Sequence, residues 1–281
     1  MNYRHAFHAG NFADVVKHAV LARILVHLRI KPQPFRVIDS HAGAGLYDLA
    51  GPDARRTGEW RGGIGRVRAA TLAPPARALL APYLDAVAGL NGDGTLRRYP
   101  GSPVLALALM RPQDRLIACE LEPRAAAALK ANLRADRRAK AIAIDGFVGL
   151  NAYLPPKERR GLVLIDPPFE DPDEFARLAK TLEDAHRKWA TGIYLAWYPR
   201  KDPQATRALA SRIARSNLTN VMRVELDLGG DPTRLAGAGL LIVNPPWRLN
   251  EELAILLPEL AGTLASGASA RPRIEWLSSA S

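Results

Sequence analysis

The chain has 281 residues, near the upper size for one α/β domain or one domain carrying an insertion, and 48% of them are hydrophobic, which supports a sizeable core and excludes an extended disordered chain. Lysine and arginine number 39 against 28 acidic residues, a formal charge of +11, so a polyanion such as nucleic acid is the expected partner. A single cysteine, Cys119, excludes an intramolecular disulfide framework and a cysteine-based zinc site. No apolar run approaches a membrane span and the first residues lack the apolar core of a signal peptide, so a cytoplasmic location with no membrane partner is expected.

Residues 1–10 are polar and aromatic, with Tyr3, Arg4, His5, Phe7 and His8. Asn11 is the expected N-cap of a helix in which Val16, Val20, Ile24 and Leu28 recur every four residues, with Leu21 and Leu25 beside them. Lys17 and Arg29 fall off that apolar face. Pro32 and Pro34 end the helix, and Phe35–Asp39 reads as a short buried strand that runs directly into the HAGAG loop, His41–Gly45.

Residues 46–102 change in texture and are expected to form a small helical insertion between two parts of one core, 1–45 and 103–281. The insertion holds one clear helix, with Leu79, Leu80, Tyr83, Leu84 and Val87 on one side. Between residues 51 and 100, eight arginines (55, 56, 61, 66, 68, 77, 97 and 98) stand against four acids.

After this the chain alternates. Expected strands at Leu116–Glu120, Ala141–Ile144, Leu162–Ile165 and Ile193–Trp197 are separated or followed by helices at Arg124–Arg134, Pro172–Trp189 and Pro203–Arg215. Strands Val221–Leu228 and Leu240–Val243 follow, then a helix at Glu251–Leu264. The pattern predicts a doubly wound α/β fold with a mostly parallel, seven-stranded sheet. The short linker around Gly229–Gly237 makes the last strand antiparallel to its neighbour. The Ser/Ala-rich tail from Ser266 is expected to be loosely held.

Ligands of open α/β sheets bind outside the carboxyl ends of the strands. Four expected strand ends carry polar or glycine residues: Asp39 with HAGAG, Glu120, Asp145-Gly146 and Asp166-Pro-Pro-Phe169. Gly43 and Gly45 permit close backbone approach to a ligand. Glu120, ending the next parallel strand, suits both hydroxyls of a ribose, and its long separation from Asp39 matches an insertion between them. Asp145 suits the amino group of an adenine, and His41 lies within the glycine loop.

Asp166-Pro167-Pro168-Phe169 is the most specific chemical signal. An exocyclic amine on a purine is a poor nucleophile because its lone pair is delocalised into the ring. Two acceptors, the Asp166 carboxylate and the Pro167 carbonyl, would bond its two N–H groups and favour a pyramidal nitrogen aimed at a methyl donor. The prolines stiffen the loop, Phe169 offers a face for a flipped base, and Asp166 is placed to receive the released proton. Asn244-Pro-Pro-Trp247 has the same grammar but follows the last of the seven expected strands, so DPPF is the expected reacting loop. The six histidines lack the partners of a zinc motif, and no metal is expected.

The segments Tyr3–His18 (YRHAFHAGNFADVVKH), Asp39–Gly45 (DSHAGAG), Thr57–Trp60 (TGEW), Tyr99–Pro103 (YPGSP), IDPPF, Thr191–Pro199 (TGIYLAWYP) and IVNPPW together resemble the bacterial 23S ribosomal RNA adenine-N6 methyltransferase J family, over essentially the whole chain from residue 3 to about 260. The resemblance implies a Rossmann-like class I methyltransferase core using S-adenosylmethionine, methylating one adenine of free 23S rRNA before subunit assembly. It implies that Asp166 is catalytic. It also implies that His18, His41, Ser102, Glu120, Asp145 and Gly146 contact the cofactor along with Asp166, and that Tyr3, His5 and Lys17 belong to an N-terminal segment that closes on the substrate. Phe169 and Phe12 depart mildly from the family pattern. A monomer is the default expectation. Guanine N2 in RNA, adenine in DNA and glutamine in protein are chemically close alternatives that DPPF alone does not separate. A dinucleotide oxidoreductase would need G-x-G-x-x-G, which is absent.

Overall fold

Asn11 caps the first helix, its Oδ1 accepting the backbone N–H of Asp14 at 3.0 Å. The computed structural model describes residues 5–171, 173–229, 235, 237–265 and 270–278. Helix α1 (Phe12–Ile30) leads into strand β1 (Arg36–Asp39). The following stretch holds β2 (Leu46–Asp48), α2 (Pro52–Thr57), a kinked turn at Arg61–Gly65, α3 (Arg66–Ala69), α4 (Pro74–Gly89) and β3 (Arg98–Pro100). Then come α5 (Ser102–Leu109), β4 (Arg115–Glu120), α6 (Pro123–Leu133), β5 (Ala139–Ala143), α7 (Gly146–Tyr153) and β6 (Gly161–Ile165). The remainder is α8 (Glu174–Lys188), β7 (Ile193–Pro199), α9 (Pro203–Ala214), β8 (Val221–Asp227), β9 (Gly237–Val243), α10 (Leu249–Leu264) and β10 (Arg271–Ser278).

The main sheet runs β10-β8-β9-β7-β6-β1-β4-β5. Strands β5, β4, β1, β6 and β7 are mutually parallel, and β9 lies antiparallel between β7 and β8. The central strands are buried on both faces, and the two-residue period of β6 shows why its sequence is a continuous apolar run. Leu162 and Leu164 enter the core shared with α1, α4, α5 and α10, while Val163 and Ile165 enter the core under α8 and α9.

The sheet has eight strands rather than the expected seven. The eighth, β10, comes from the tail expected to be loosely held, and pairs antiparallel with β8 from Arg271↔Asp227 onward. An edge strand keeps one row of side chains near water, so Arg271, Arg273 and Glu275 interrupt the apolar signal that a central strand would give. Glu275 forms an ion pair with Arg223 of β8.

The long connection between β1 and α5 is closed at its base by the small β2–β3 sheet, with Tyr47 opposite Tyr99. Its main helix, α4, starts on Pro74 and Pro75, where a missing N–H costs nothing. Leu80, Tyr83 and Val87 of α4 share one hydrophobic core with Val16 and Val20 of α1 and Leu257 of α10. This connection therefore has no separate core of its own; it extends the layer covering one face of the sheet.

Candidate active site

The strand order turns at β1: β4 and β5 lie on one side, β6 and β7 on the other. A crevice at such a switch point is the standard ligand site of this sheet type. A cavity of about 640 Å³ opens there. Ser102, Glu120, Asp145 and Gly146 line it, together with His18, His41 and Asp166, as do His5 and Lys17. Tyr3, also expected at the site, lies outside the described residues. Pro168 lines the cavity. Pro167 is buried. Phe169 is half-buried, its ring 4.8 Å from that of Phe175 and 5.7 Å from that of Trp197.

Glu120 is held from two sides. The Gly43 N–H donates to Oε2 at 2.8 Å and the Glu122 N–H to Oε1 at 2.8 Å. Asp145 caps α7, its Oδ1 accepting from Phe147 N–H at 2.8 Å and Val148 N–H at 3.0 Å. Its Oδ2 meets Arg177 at 3.1 Å. Burial works against the Asp145 anion, but the backbone donors and Arg177 outweigh it and hold its pKa below the usual carboxylate value. Gly146 sits so close to the HAGAG strand end that a Cβ there would lie 1.9 Å from the Ser40 carbonyl oxygen. No larger residue fits without moving backbone.

The Ser40 hydroxyl donates to the Leu164 carbonyl at 2.9 Å, so its contact with His41 Nδ1 at 2.8 Å requires an Nδ1–H donor on the imidazole. Nε2 of His41 is then left as an acceptor. Burial pushes His41 down to about 4 and His18 down to about 3, so both rings are neutral at pH 7. Asp39, at the end of β1, accepts the Ser102 hydroxyl at 2.6 Å, and burial pushes its carboxyl up to about 7.

Lys17, expected on the first helix and off its apolar face, is in α1 but buried, and it joins two carboxylates. Nζ donates to Asp14 Oδ1 at 2.8 Å and to Asp166 Oδ2. Burial alone would lower the lysine pKa, yet Asp14 and Asp166 overcome it and hold the ammonium well above the ordinary value. Asp166, at the end of β6, is thus fixed by a permanent cation from α1.

Asp14 escaped the sequence reading, although its spacing of three from Lys17 on a helix is a usable signal. Tyr47, Phe147 and Arg177 also line the cavity and were not foreseen. Arg177 stacks 3.9 Å above the Phe147 ring, a contact between distant elements that no local pattern announces. The N-terminal segment docks on the β1–α5 connection. His8 bonds Glu59 at 2.9 Å, Asn11 Nδ2 donates to Glu59 at 3.0 Å, and Gly63 lets the backbone of Gly10 and Asn11 approach.

Asn244-Pro-Pro-Trp247 is at the opposite end of the sheet, because β9 runs antiparallel to β7. The Asn244 amide donates to the carbonyls of Ala190 and Gly192, which precede β7, each at 2.8 Å. Among the described residues, no cluster of three or more His, Cys, Asp or Glu is arranged to hold a metal ion, and no helix is long and apolar enough to cross a membrane.

A mostly parallel α/β sheet with an antiparallel strand inserted beside β7, and an acid- and glycine-lined crevice at its switch point, defines a class I methyltransferase. Residues 32–278 match the family described as ribosomal RNA large subunit methyltransferase D, RlmJ, and the chain belongs to that family. It is 37% identical to the ribosomal RNA large subunit methyltransferase J of Escherichia coli (strain K12) over 279 residues, 99% of each chain. It is likewise 37% identical to that of Haemophilus influenzae (strain ATCC 51907 / DSM 11121 / KW20 / Rd) over 280 residues, again 99% of each. A solved structure of a Legionella pneumophila (strain Philadelphia 1) protein superposes with a TM-score of 0.87 at 34% identity, covering 95% of this chain and 98% of that one.

Proposed function

We propose that this protein transfers a methyl group from S-adenosylmethionine to the N6 amino group of an adenine in 23S rRNA, acting as a cytoplasmic monomer on free rRNA before subunit assembly. The observation that carries the reading is the position of Asp166: it ends β6 on the wall of the cavity that Glu120, Asp145 and Gly146 also line. Family membership supports the rRNA substrate, and the DPPF chemistry supports an amino nitrogen.

The residues fit the donor. Glu120 is fixed as an acceptor for ribose hydroxyls, Asp145 is an acceptor for an adenine amine, and the missing Cβ of Gly146 lets its backbone pack against the Ser40 carbonyl, which brings α7 and the HAGAG loop together at the cavity wall. S-adenosylmethionine supplies an electrophilic methyl group. Asp166 and the Pro167 carbonyl hold the two N–H bonds of the target amine, so that its lone pair points away from them and toward the donor. The C–N bond forms as the donor's C–S bond breaks, and the surplus proton leaves the nitrogen toward Asp166 or water. Lys17 keeps the carboxylate in position, so little reorganisation is needed.

The basic connection between β1 and α5 supplies the grip on RNA. Among the described residues, Arg55, Arg56, Arg61, Arg68, Arg97 and Arg98 of this connection form no ion pair, Arg56 resting over the Phe7 ring and Arg61 over the Trp60 ring. Unpaired arginines are available to phosphate. The double variant Arg55→Ala/Arg56→Ala is expected to weaken RNA binding and reduce the slope of log affinity against log salt by roughly 1–2. An unchanged slope removes this surface from the account.

The function itself is tested by nucleoside mass spectrometry on protein-free 23S rRNA lacking the modification, beside DNA and peptide substrates. N6-methyladenosine in the RNA alone is expected. N2-methylguanosine, or methylation only of DNA or peptide, overturns the substrate.

A further inference from the structure

Asp14 has no part in the reaction just described, yet it is tied from three directions. Its side chain is 3% exposed, behind Lys17 on α1. Oδ1 accepts from Lys17 at 2.8 Å; Oδ2 accepts from the Gly10 N–H at 2.9 Å and meets His5 Nε2 at 3.1 Å. Lys17 then reaches Asp166, whose side chain is 12% exposed.

One carboxylate is enough to neutralise one buried ammonium. The Asp14–Lys17–Asp166 chain has two, so these three groups carry one surplus negative charge, offset by His5 on the far oxygen of Asp14 only when that imidazole is protonated, in a site where desolvation makes such charge costly. Asp39 adds no full charge beside it, since burial pushes its carboxyl up to about 7. A surplus charge is useful where a cation must be bound. Methyl transfer from S-adenosylmethionine has that character: positive charge sits on sulfur in the donor and moves to the target nitrogen, and the product S-adenosylhomocysteine is neutral.

We infer that Asp14 is an electrostatic positioning residue, which holds Lys17 against Asp166 and supplies the surplus negative charge that favours the cationic methyl donor over its neutral product. The inference rests on the methyl-transfer reading above. His5 links the same carboxylate to the N-terminal segment, so docking of that segment and the setting of Asp166 share one anchor.

The test is calorimetric titration of the full chain with S-adenosylmethionine and, separately, S-adenosylhomocysteine. Wild type, Asp14→Asn and the double variant Asp14→Asn/Lys17→Met are compared. Asp14→Asn removes the charge and one of the two acceptor oxygens; its preference for the donor over the product, a ratio that general loosening of the site would not change, should fall roughly tenfold. The double variant removes one charge of each sign, so its preference should return to within about threefold of wild type. With RNA, kcat of Asp14→Asn should fall while the KM for RNA stays within about twofold. Equal weakening of both ligands by Asp14→Asn, or a double variant no better than the single one, overturns the inference. Should Asp14→Asn not fold, the double variant carries the test alone, and a tenfold loss of preference there contradicts it. Wild type that binds both ligands but methylates no adenine sinks the substrate reading and leaves this binding comparison intact. Wild type that binds neither ligand overturns both.

Discussion

The loops Asp166–Phe169 and Asn244–Trp247 are near-copies in sequence and opposites in circumstance. Each follows a buried strand and places a polar residue, two prolines and an aromatic in a row, and each holds one non-glycine residue in the left-handed region, Phe169 at φ 53° and Asn244 at φ 54°. Yet β6 runs parallel to β1 and delivers Asp166 to the cavity, while β9 runs antiparallel and delivers Asn244 to the far end. The Asp166 carboxylate meets a buried ammonium; the Asn244 amide satisfies two backbone carbonyls ahead of β7. The aromatic ends differ as well, Phe169 packed against Phe175 and Trp197, Trp247 80% exposed. The direction of its strand decides whether a motif of this kind reaches the cavity. The same turn at the other end of the sheet is a structural joint.

Three substitutions sharpen that contrast. At the cavity end, Gly146→Ala drives a methyl group against the Ser40 carbonyl, and the backbone lining the cavity must shift. S-adenosylmethionine affinity is expected to fall by ~10-fold or more, measured by titration. At the far end, Asn244→Ala removes two hydrogen bonds and forces a positive φ on alanine, so it should cost about 1–3 kcal/mol in denaturant unfolding. Its donor affinity should match wild type. Smallest of all, Trp247→Ala removes a ring lying almost wholly in water and should change stability by no more than about 0.5 kcal/mol. If Asn244→Ala weakened the cofactor more than Gly146→Ala did, the two ends would have been assigned the wrong way round.

Strand direction was itself legible. The short linker near Gly229–Gly237 announces an antiparallel pair, and the helix-length gaps between the earlier strands announce parallel ones. The strand-end residues Glu120, Asp145 and Asp166 were legible for the same reason, since a parallel sheet delivers successive carboxyl ends to one edge. Other features gave no local signal. Strand β10 was hidden because an edge strand tolerates Arg271, Arg273 and Glu275 where a central strand would not. Strands β2 and β3 are three residues each, too short for any alternation to stand out. Lys17 reads as a residue off the apolar face of its helix, and Asp14 passed unnoticed beside it. Their burial follows from β6 arriving opposite α1 with a third charge, a tertiary fact absent from the helix's own sequence. Arg177 is of the same kind, brought over Phe147 only when α8 packs beside α7.

The most direct measurement compares Asp166→Ala with Asn244→Ala, each shown folded, in single-turnover methylation of protein-free 23S rRNA read as N6-methyladenosine. Asp166→Ala should lose ~10³-fold or more in rate, while Asn244→Ala stays within about threefold of wild type. An Asp166→Ala protein that still methylates adenine at near the wild-type rate, or an equal loss in both variants, would contradict the assignment of the reacting loop.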